Sequence, residues 1–356
     1  MNIAIVLGTR PEIIKLSPII NKLNKKNSTI IFTGQHYDFE LSKKFINELK
    51  IRKPDYWLKI GRDNAANQIG QIMIKLSKIL IKSDPDCLLV QGDTNTVLAG
   101  GLTALKNKIP VCHVEAGLRS YDWRMPEEHN RIEIDHISEL LFAPTQYNKK
   151  ILMDEKVHGK IHVTGNTVVD AINHFALISS KRSSLTLPNN EYILMTLHRT
   201  ENVDNKKVLT EIVRTILTSN EKFVFPVHPH TRKRLHQYGL YQKLKRSSNI
   251  RLIQAVGYFD MIELMKKCSF IVTDSGGLQE EATAPMIRKK VLILRKTTDR
   301  PETVKFGMSV LVGTNPEKIM KAIHKATSDP KLRSKKTPYG TGNSSQKILQ
   351  IIKKSF

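Results

Sequence analysis

The segment Ile271-Val272-Thr273-Asp274-Ser275-Gly276-Gly277-Leu278-Gln279-Glu280-Glu281-Ala282 carries the strongest chemical signal in the chain. An apolar run stops at a Ser-Gly-Gly turn and passes into a helix-forming stretch. Such a turn aims backbone N–H groups beyond the strand. The helix N-terminus adds about half a positive charge there. Together they make a cradle for phosphate. Glu280 and Glu281 follow within two turns, where a carboxylate accepts hydrogen bonds from ribose hydroxyls. Taken alone, the segment equally fits a plain strand-to-helix turn capped by Ser275.

Other reactive residues also follow apolar runs. In Gly8-Thr9-Arg10-Pro11-Glu12-Ile13-Ile14-Lys15, Pro11 suits a first helical turn. Arg10 as a fork and Lys15 as a point charge suit a diphosphate. A helix cap with two solvated cations is the alternative. The loop is neither G-x-G-x-x-G nor a Walker loop, which weakens the dinucleotide and NTPase readings. Asp93, in Gln91-Gly92-Asp93-Thr94, either caps the next helix or projects a carboxylate. Glu115 comes directly after the apolar Val111–Val114, an unusual place for an acid. Glu127 and Glu128 open a helix after Pro126, where acids are common for dipole reasons alone. His198 and His228 each follow a strand-like run, without the paired spacing of metal ligands. Arg300, in Thr297-Thr298-Asp299-Arg300-Pro301-Glu302, is placed to contact phosphate or a sugar hydroxyl. Several carboxylates around one sugar ring suit general acid and base work.

Two series of strands must position these groups. The first is Ile3–Leu7, Thr29–Phe32, Cys87–Val90, Val111–Val114, Leu140–Phe142 and Ile161–Val163. The second is Tyr192–Thr196, Phe223–Val227, Ile250–Ile253, Phe270–Thr273, Val291–Leu294 and Ser309–Val312. Continuous apolar strands separated by helix-period segments indicate parallel sheets covered on both faces. The fold class is α/β, with two Rossmann-like domains facing each other across a cleft. Ligands bind beyond the carboxyl ends of such strands. The polar, Ser-rich stretch 179–190 reads as the crossing between a domain at 1–178 and a nucleotide-diphosphate-binding domain at 191–335. A tail at 336–356, with apolar Ile348, Leu349, Ile351 and Ile352, is expected to pack back on the first domain.

Composition narrows the class. A chain of 356 residues suggests two domains, and 40% hydrophobic residues supply real cores. The formal charge of +24 is spread along the chain, and 6% aromatic residues are too few for base-stacking platforms. The charge therefore reads as a Lys-rich solvated surface that attracts anionic substrates, and no nucleic-acid partner is expected. No apolar run approaches the roughly 18 residues needed to span a bilayer, and Met1–Leu7 lacks a signal-peptide pattern. A cytoplasmic protein without membrane partner is expected. Cys87, Cys112 and Cys268 lie far apart without C-x-x-C spacing and read as buried thiols.

The ordered motifs resemble a known family. They are Gly8-Thr9-Arg10-Pro11-Glu12, Gln91-Gly92-Asp93-Thr94, His113-Val114-Glu115-Ala116-Gly117-Leu118-Arg119, Pro126-Glu127-Glu128-x-Asn130-Arg131, His198-Arg199-x-Glu201-Asn202, Asp274-Ser275-Gly276-Gly277-x-Gln279-Glu280-Glu281 and Thr297-Thr298-x-Arg300-Pro301-Glu302. The set resembles the non-hydrolysing UDP-N-acetylglucosamine 2-epimerases, and Asp93 to Asp135 is most similar to archaeal members. The resemblance implies a glycosyltransferase B-type fold, a homodimer, a UDP-sugar substrate, and no cofactor or metal. It implies reversible interconversion of UDP-N-acetylglucosamine and UDP-N-acetylmannosamine through elimination of UDP to 2-acetamidoglucal and re-addition. By the same resemblance Asp93, Glu115 and Glu127 are the acid/base set, with His198 acting at the diphosphate. Arg10 and the Ser275-Gly276-Gly277 nest also hold the diphosphate, and Lys15 lies near the reacting end. Glu281 holds the ribose, Arg300 lies near sugar or phosphate, and Val256 and Met261 complete the UDP site.

Three departures stand out. Met261 occupies a place where many relatives have an aromatic ring beside uracil. Gln35, Arg199 and His228 fit an activator site, but Tyr37, Asp38 and Asn64 depart from its pattern. Lys296 replaces a usual acid. The alternatives are a 2-epimerase of a related UDP-2-acetamido sugar, 6-deoxy or uronate, and a hydrolysing 2-epimerase that releases N-acetylmannosamine and UDP.

Overall fold

A computed structural model describes residues 1–35, 39–61, 63–186, 191–330, 332 and 337–356. It divides into two compact units, Met1–Ala171 with Tyr339–Phe356, and Ile172–Pro338. The division falls inside the helix Thr167–Arg182, and the Ser-rich stretch read as the crossing lies within the second unit. Its last four residues, 187–190, are outside the described residues.

The first unit holds seven strands: β1 (Ile3–Leu7), β2 (Ser28–Phe32), β3 (Tyr56–Trp57), β4 (Cys87–Gln91), β5 (Val111–Val114), β6 (Leu140–Ala143) and β7 (Lys160–Val163). Their order is β3-β2-β1-β4-β5-β6-β7, and every pairing is parallel. The second holds six: β8 (Ile193–Thr196), β9 (Phe223–Val227), β10 (Ile250–Gln254), β11 (Ile271–Thr273), β12 (Val291–Ile293) and β13 (Ser309–Leu311). Their order, β10-β9-β8-β11-β12-β13, is again all parallel. Twelve of the strands are the apolar runs read from the sequence, shifted by a residue at some ends. The two-residue β3 was not among them. Both sheets are doubly wound. The order reverses between β1 and β4 in one and between β8 and β11 in the other, which creates a crevice at the carboxyl ends of those strands.

Helices bury apolar faces against each sheet. Leu76, Leu88, Val97 and Ile134 belong to one core cluster, and Ile212, Phe225 and Leu235 to another. Each buried Leu, Ile or Phe side chain contributes about 1.5–3 kcal/mol. Phe225 is fully buried, and its truncation to Ala would cost about 3–5 kcal/mol.

The tail helix Ser344–Ser355 belongs to the first unit. Asp170 caps it, accepting from Ser344 N at 3.1 Å, Ser345 N at 2.9 Å and Ser345 Oγ at 2.6 Å. All three cysteines are buried thiols. A hydrogen bond with Cys87, and then burial, push the Cys112 thiol well up, and burial pushes Cys268 up to about 12. Among the described residues, no helix is long and apolar enough to cross a membrane.

Candidate active site

Many of the polar residues singled out above follow the carboxyl ends of strands at or beside the two switch points. At the end of β1, Gly8 is packed so closely that a Cβ would lie 2.3 Å from the hydroxyls of both Thr33 and Thr96. Only glycine fits there. The turn leads into the helix Arg10–Ile20, with Pro11 near its start. Buried Glu12 accepts from Gly8 N at 2.5 Å, Thr9 Oγ1 at 3.0 Å and Thr94 Oγ1 at 2.7 Å. It ties the loop after β1 to the loop after β4. Burial outweighs those donors and raises the carboxyl to about 7. Arg10 is exposed, its guanidinium 5.3 Å from the Phe45 ring centroid. Lys15 is buried, with Nζ 2.5 Å from Glu115 Oε2.

Glu115 is the first residue past β5 and is 6% exposed. Its φ of 73° lies in the left-handed region, which costs a non-glycine residue about 1–2 kcal/mol. Strain of this kind persists where surrounding contacts enforce it. Here Lys15 and Gln91 Nε2, at 2.9 Å, share one carboxylate oxygen.

Asp93 stands beyond β4 on the neighbouring loop. Arg131, in the helix Pro126–Ile137, grips it with Nε and Nη2, each 2.7 Å from Oδ2. A third nitrogen, Nη1, lies 2.6 Å from Glu128 Oε2. Glu128 also accepts from Ser120 N, Ser120 Oγ and Tyr121 N at 2.8–3.0 Å. Burial opposes its ionisation, but these donors and Arg131 win and hold the carboxyl below its ordinary value. Asn130 Nδ2 donates to the Asp93 carbonyl at 2.8 Å. Glu127 is exposed, with no hydrogen-bond partner among the described residues. Gln35 uses its side-chain oxygen on Thr96, from N at 2.8 Å and Oγ1 at 2.7 Å. Asn64 caps the helix Ala65–Ser83, accepting from Asn67 N at 2.9 Å. Tyr37 and Asp38 lie outside the described residues.

In the second unit, fully buried Asp274 follows β11. Its carboxylate accepts from His198 N at 3.1 and 3.2 Å, Arg199 N at 3.0 Å and Asn202 Nδ2 at 3.1 Å. One acid thus folds the loop after β8 onto the switch point. His198 Nδ1 is 3.3 Å from Asp274 Oδ1, and its ring centroid is 6.1 Å from that of His228. Burial lowers the His198 imidazole; Asp274 opposes this, and Arg199, His228 and Arg295 reinforce it. Partial burial, with His230, also lowers His228. Both rings are neutral at neutral pH, free to donate from one nitrogen and accept at the other.

Ser275 caps the helix Gly276–Glu281, accepting from Leu278 N at 3.4 Å. Gln279 donates to the Ser275 carbonyl at 3.1 Å and accepts from Thr298 Oγ1 at 2.7 Å, which steadies the turn. A Cβ on Gly276 would lie 3.8 Å from Arg199 Nη2. Among the described residues the Nε of Arg199 is buried without a partner, a donor beside the Ser-Gly-Gly turn. Gly277 is exposed. Arg300 is 6% exposed, bound to Glu280 and to Asp299 at 3.1 Å. Glu281 is half-buried, near enough to Tyr258 for its charge to add to the effect of burial in raising that phenol. Val256, after β10, and Met261, in the helix Tyr258–Lys267, are both half-buried, and Lys296 is exposed.

The partners Glu12, Gln91, Glu128, Arg131 and Asp274 carry no assigned role in the sequence reading. Gln91 and Asp274 lie at strand ends and Glu12 five residues past one, which is a weak signal, whereas Glu128 and Arg131 lie within a helix far from any strand end and leave none.

Comparison with known proteins bears on the family and the fold. The family described as UDP-N-acetylglucosamine 2-epimerase matches residues 20–353. A UDP-N-acetylglucosamine 2-epimerase of Methanocaldococcus jannaschii is 46% identical over 99% of each chain. The crystal structure of the epimerase from that organism, in complex with UDP-GlcNAc and UDP, matches with a TM-score of 0.87 at 45% identity. That match covers 99% of this chain and 100% of the other. A UDP-2,3-diacetamido-2,3-dideoxy-D-glucuronate 2-epimerase of Pseudomonas aeruginosa is 34% identical, covering 99% of this chain and 100% of its own. With this sequence, two doubly wound units and polar groups at both switch points, the chain belongs to the UDP-N-acetylglucosamine 2-epimerase family.

Proposed function

We propose that this chain interconverts UDP-N-acetylglucosamine and UDP-N-acetylmannosamine by elimination and re-addition of UDP. The observation that carries the reading is the pair Asp93 and Glu115. They stand on loops after adjacent strands of one sheet, each facing a cation. A C2 proton beside an amide nitrogen is scarcely acidic, so its removal must accompany loss of the leaving group. A carboxylate takes the C2 proton as the C1–O bond breaks, and the electron pair leaves with UDP. The product is 2-acetamidoglucal. UDP then re-adds at C1 while a proton reaches C2 from the opposite face. Inversion calls for acid–base groups on both faces, and Asp93, Glu115 and Glu127 supply them. Such help contributes about 10²–10⁴-fold.

The second unit supplies residues suited to the leaving group. The Ser275-Gly276-Gly277 turn, neutral His198 and Arg300 suit a diphosphate, together with Arg10 of the first unit. Lys15 lies at the reacting end, Glu281 suits the ribose, and Val256 and Met261 suit the base. Gln35, Arg199 and His228 are the candidates for an activator contact. The relative named for a diacetamido glucuronate favours one further reading, in which a related UDP-2-acetamido sugar is the better substrate. The exposed Ile74 and Ile81, seven residues apart on one helix, support a homodimer. Three free thiols support a reducing cytoplasm.

Incubation with UDP-N-acetylglucosamine in D₂O, followed by NMR, tests the reading. An epimer mixture with deuterium at C2 and UDP attached is expected. Unchanged substrate at saturation sinks it, unless the diacetamido glucuronate epimerises under the same conditions. Free N-acetylmannosamine would move the chain to the hydrolysing class.

A further inference from the structure

We propose that buried Asp135 fixes both turns that present Asp93 and Glu115, the first through a doubly protonated His113 and the second directly, so that one hidden anchor sets two acids. The proposal rests on the reading of those acids given above. His113 lies in β5 and is 1% exposed. Its Nδ1 is 2.7 Å from Asp135 Oδ1 and its Nε2 is 2.8 Å from the Gly92 carbonyl oxygen. Both facing atoms are acceptors. A bare Nε2 would set two lone pairs 2.8 Å apart, so each nitrogen donates and the ring carries a positive charge. Asp135 balances that charge. It also accepts from Gly117 N at 3.0 Å and pairs with Arg119 Nη1 at 2.8 Å. Burial pushes the Asp135 carboxyl up, but His113 and Arg119 more than reverse this and hold it below its ordinary value. Arg119 forks onward to Glu155, Nε at 2.8 Å and Nη2 at 2.5 Å. Two cations and two anions leave the cluster neutral.

The anchor's two outputs sit beside the two acids. Gly92, with φ 86°, directly precedes Asp93. Holding its carbonyl fixes the peptide plane that leads into Asp93, while Arg131 aims the carboxylate itself. Gly117 follows Glu115 by two residues. Holding its N–H fixes the turn in which Glu115 keeps its left-handed backbone. A buried ionic cluster is weak evidence for stability, since apolar residues of similar volume often serve as well. What this one supplies is geometry at two strand ends. His113 and Asp135 are positioning residues.

Two variants separate its links. In His113→Asn the amide nitrogen takes the place of Nδ1, keeping Asp135 and losing Gly92. In His113→Gln it takes the place of Nε2 and keeps Gly92. His113→Asn should lower kcat for C2 exchange roughly 100-fold, the size expected for misplacing a reacting group by about 1 Å. KM should stay within about twofold, and His113→Gln should retain kcat within about tenfold of the parent. Equal falls that track the loss of melting temperature would make His113 a packing residue and overturn the proposal. Nitrogen NMR of the histidine-labelled parent at about pH 7.5 stands apart from variant folding. A slowly exchanging ring with both nitrogens protonated is expected, and its absence overturns the proposal. Asp93→Asn marks which idea has failed. If it retains exchange, the acid–base reading falls and the anchor's claim on Asp93 falls with it. If it stops exchange while His113→Asn does not, the anchor alone falls.

Discussion

At the first switch point the acids stand opposite cations: Glu115 against Lys15 and Asp93 against Arg131. At the second, the buried acid Asp274 faces backbone N–H groups and two neutral histidines, and Arg199 keeps an unmet donor. The same parallel topology thus builds two electrostatic environments. The first pairs Glu115 and Asp93 with cations, and the second keeps one donor, Arg199 Nε, without a partner among the described residues. A group that moves protons profits from a fixed partner, because the partner sets its geometry. A group that binds a dianion profits from being left incomplete.

The largest effect that could break this contrast lies at Lys15. Lys15→Met removes the cation facing buried Glu115 and should destabilise the chain by about 3–5 kcal/mol, read by urea denaturation. Adding Glu115→Gln should recover most of that stability without recovering C2 exchange. An unchanged urea midpoint for Lys15→Met would show that the pair balances no buried charge.

A second test uses acid, to which the two units respond with opposite sign. Folded Glu12 keeps its proton to about pH 7, against an ordinary value of 4.5. Folding takes up that proton between the two values, so its contribution is full below 4.5 and lost as pH rises through 7. The swing is roughly 3 kcal/mol. His198 and His228 titrate below 6.5 in the folded chain. Their contribution is present above 6.5 and falls as pH drops below it. Hydrogen exchange, corrected for intrinsic rates, should show the β1 loop tightening and the β8 loop loosening between pH 7.5 and pH 5, at about the scale of these shifts. Parallel behaviour of the two loops would erase the distinction.

The smallest effect concerns Arg199. Arg199→Ala should weaken UDP about tenfold by calorimetry, as expected for one charge-assisted contact. Unchanged UDP affinity with altered dependence of rate on UDP-N-acetylglucosamine would place Arg199 at an activator contact instead.

Much of this was legible beforehand. Twelve strands could be read because strands buried on both faces are unbroken apolar runs. Tyr56–Trp57 escaped because two half-buried residues make no run. Asp93, Glu115, His198 and the Ser-Gly-Gly turn could be picked out because strand ends are where ligands bind. Their partners could not. Glu12 and Glu128 look like ordinary acids in first helical turns, and Arg119 and Asp135 like solvated charges. Pairing across 16 to 38 positions, as in Arg119–Asp135 and Arg131–Asp93, leaves no local pattern. The division within Thr167–Arg182 is equally hidden, since a continuous helix shows no change of composition there.

The buried thiols have a practical consequence. With Cys87, Cys112 and Cys268 shielded and, for two of them, pushed far above neutrality, a maleimide at neutral pH should pass them by. New cysteines at exposed Lys150 and Lys207, one on each unit, would then be the sole attachment points. The native sequence is therefore ready for paired spin labels, which could report the separation of the units with and without UDP.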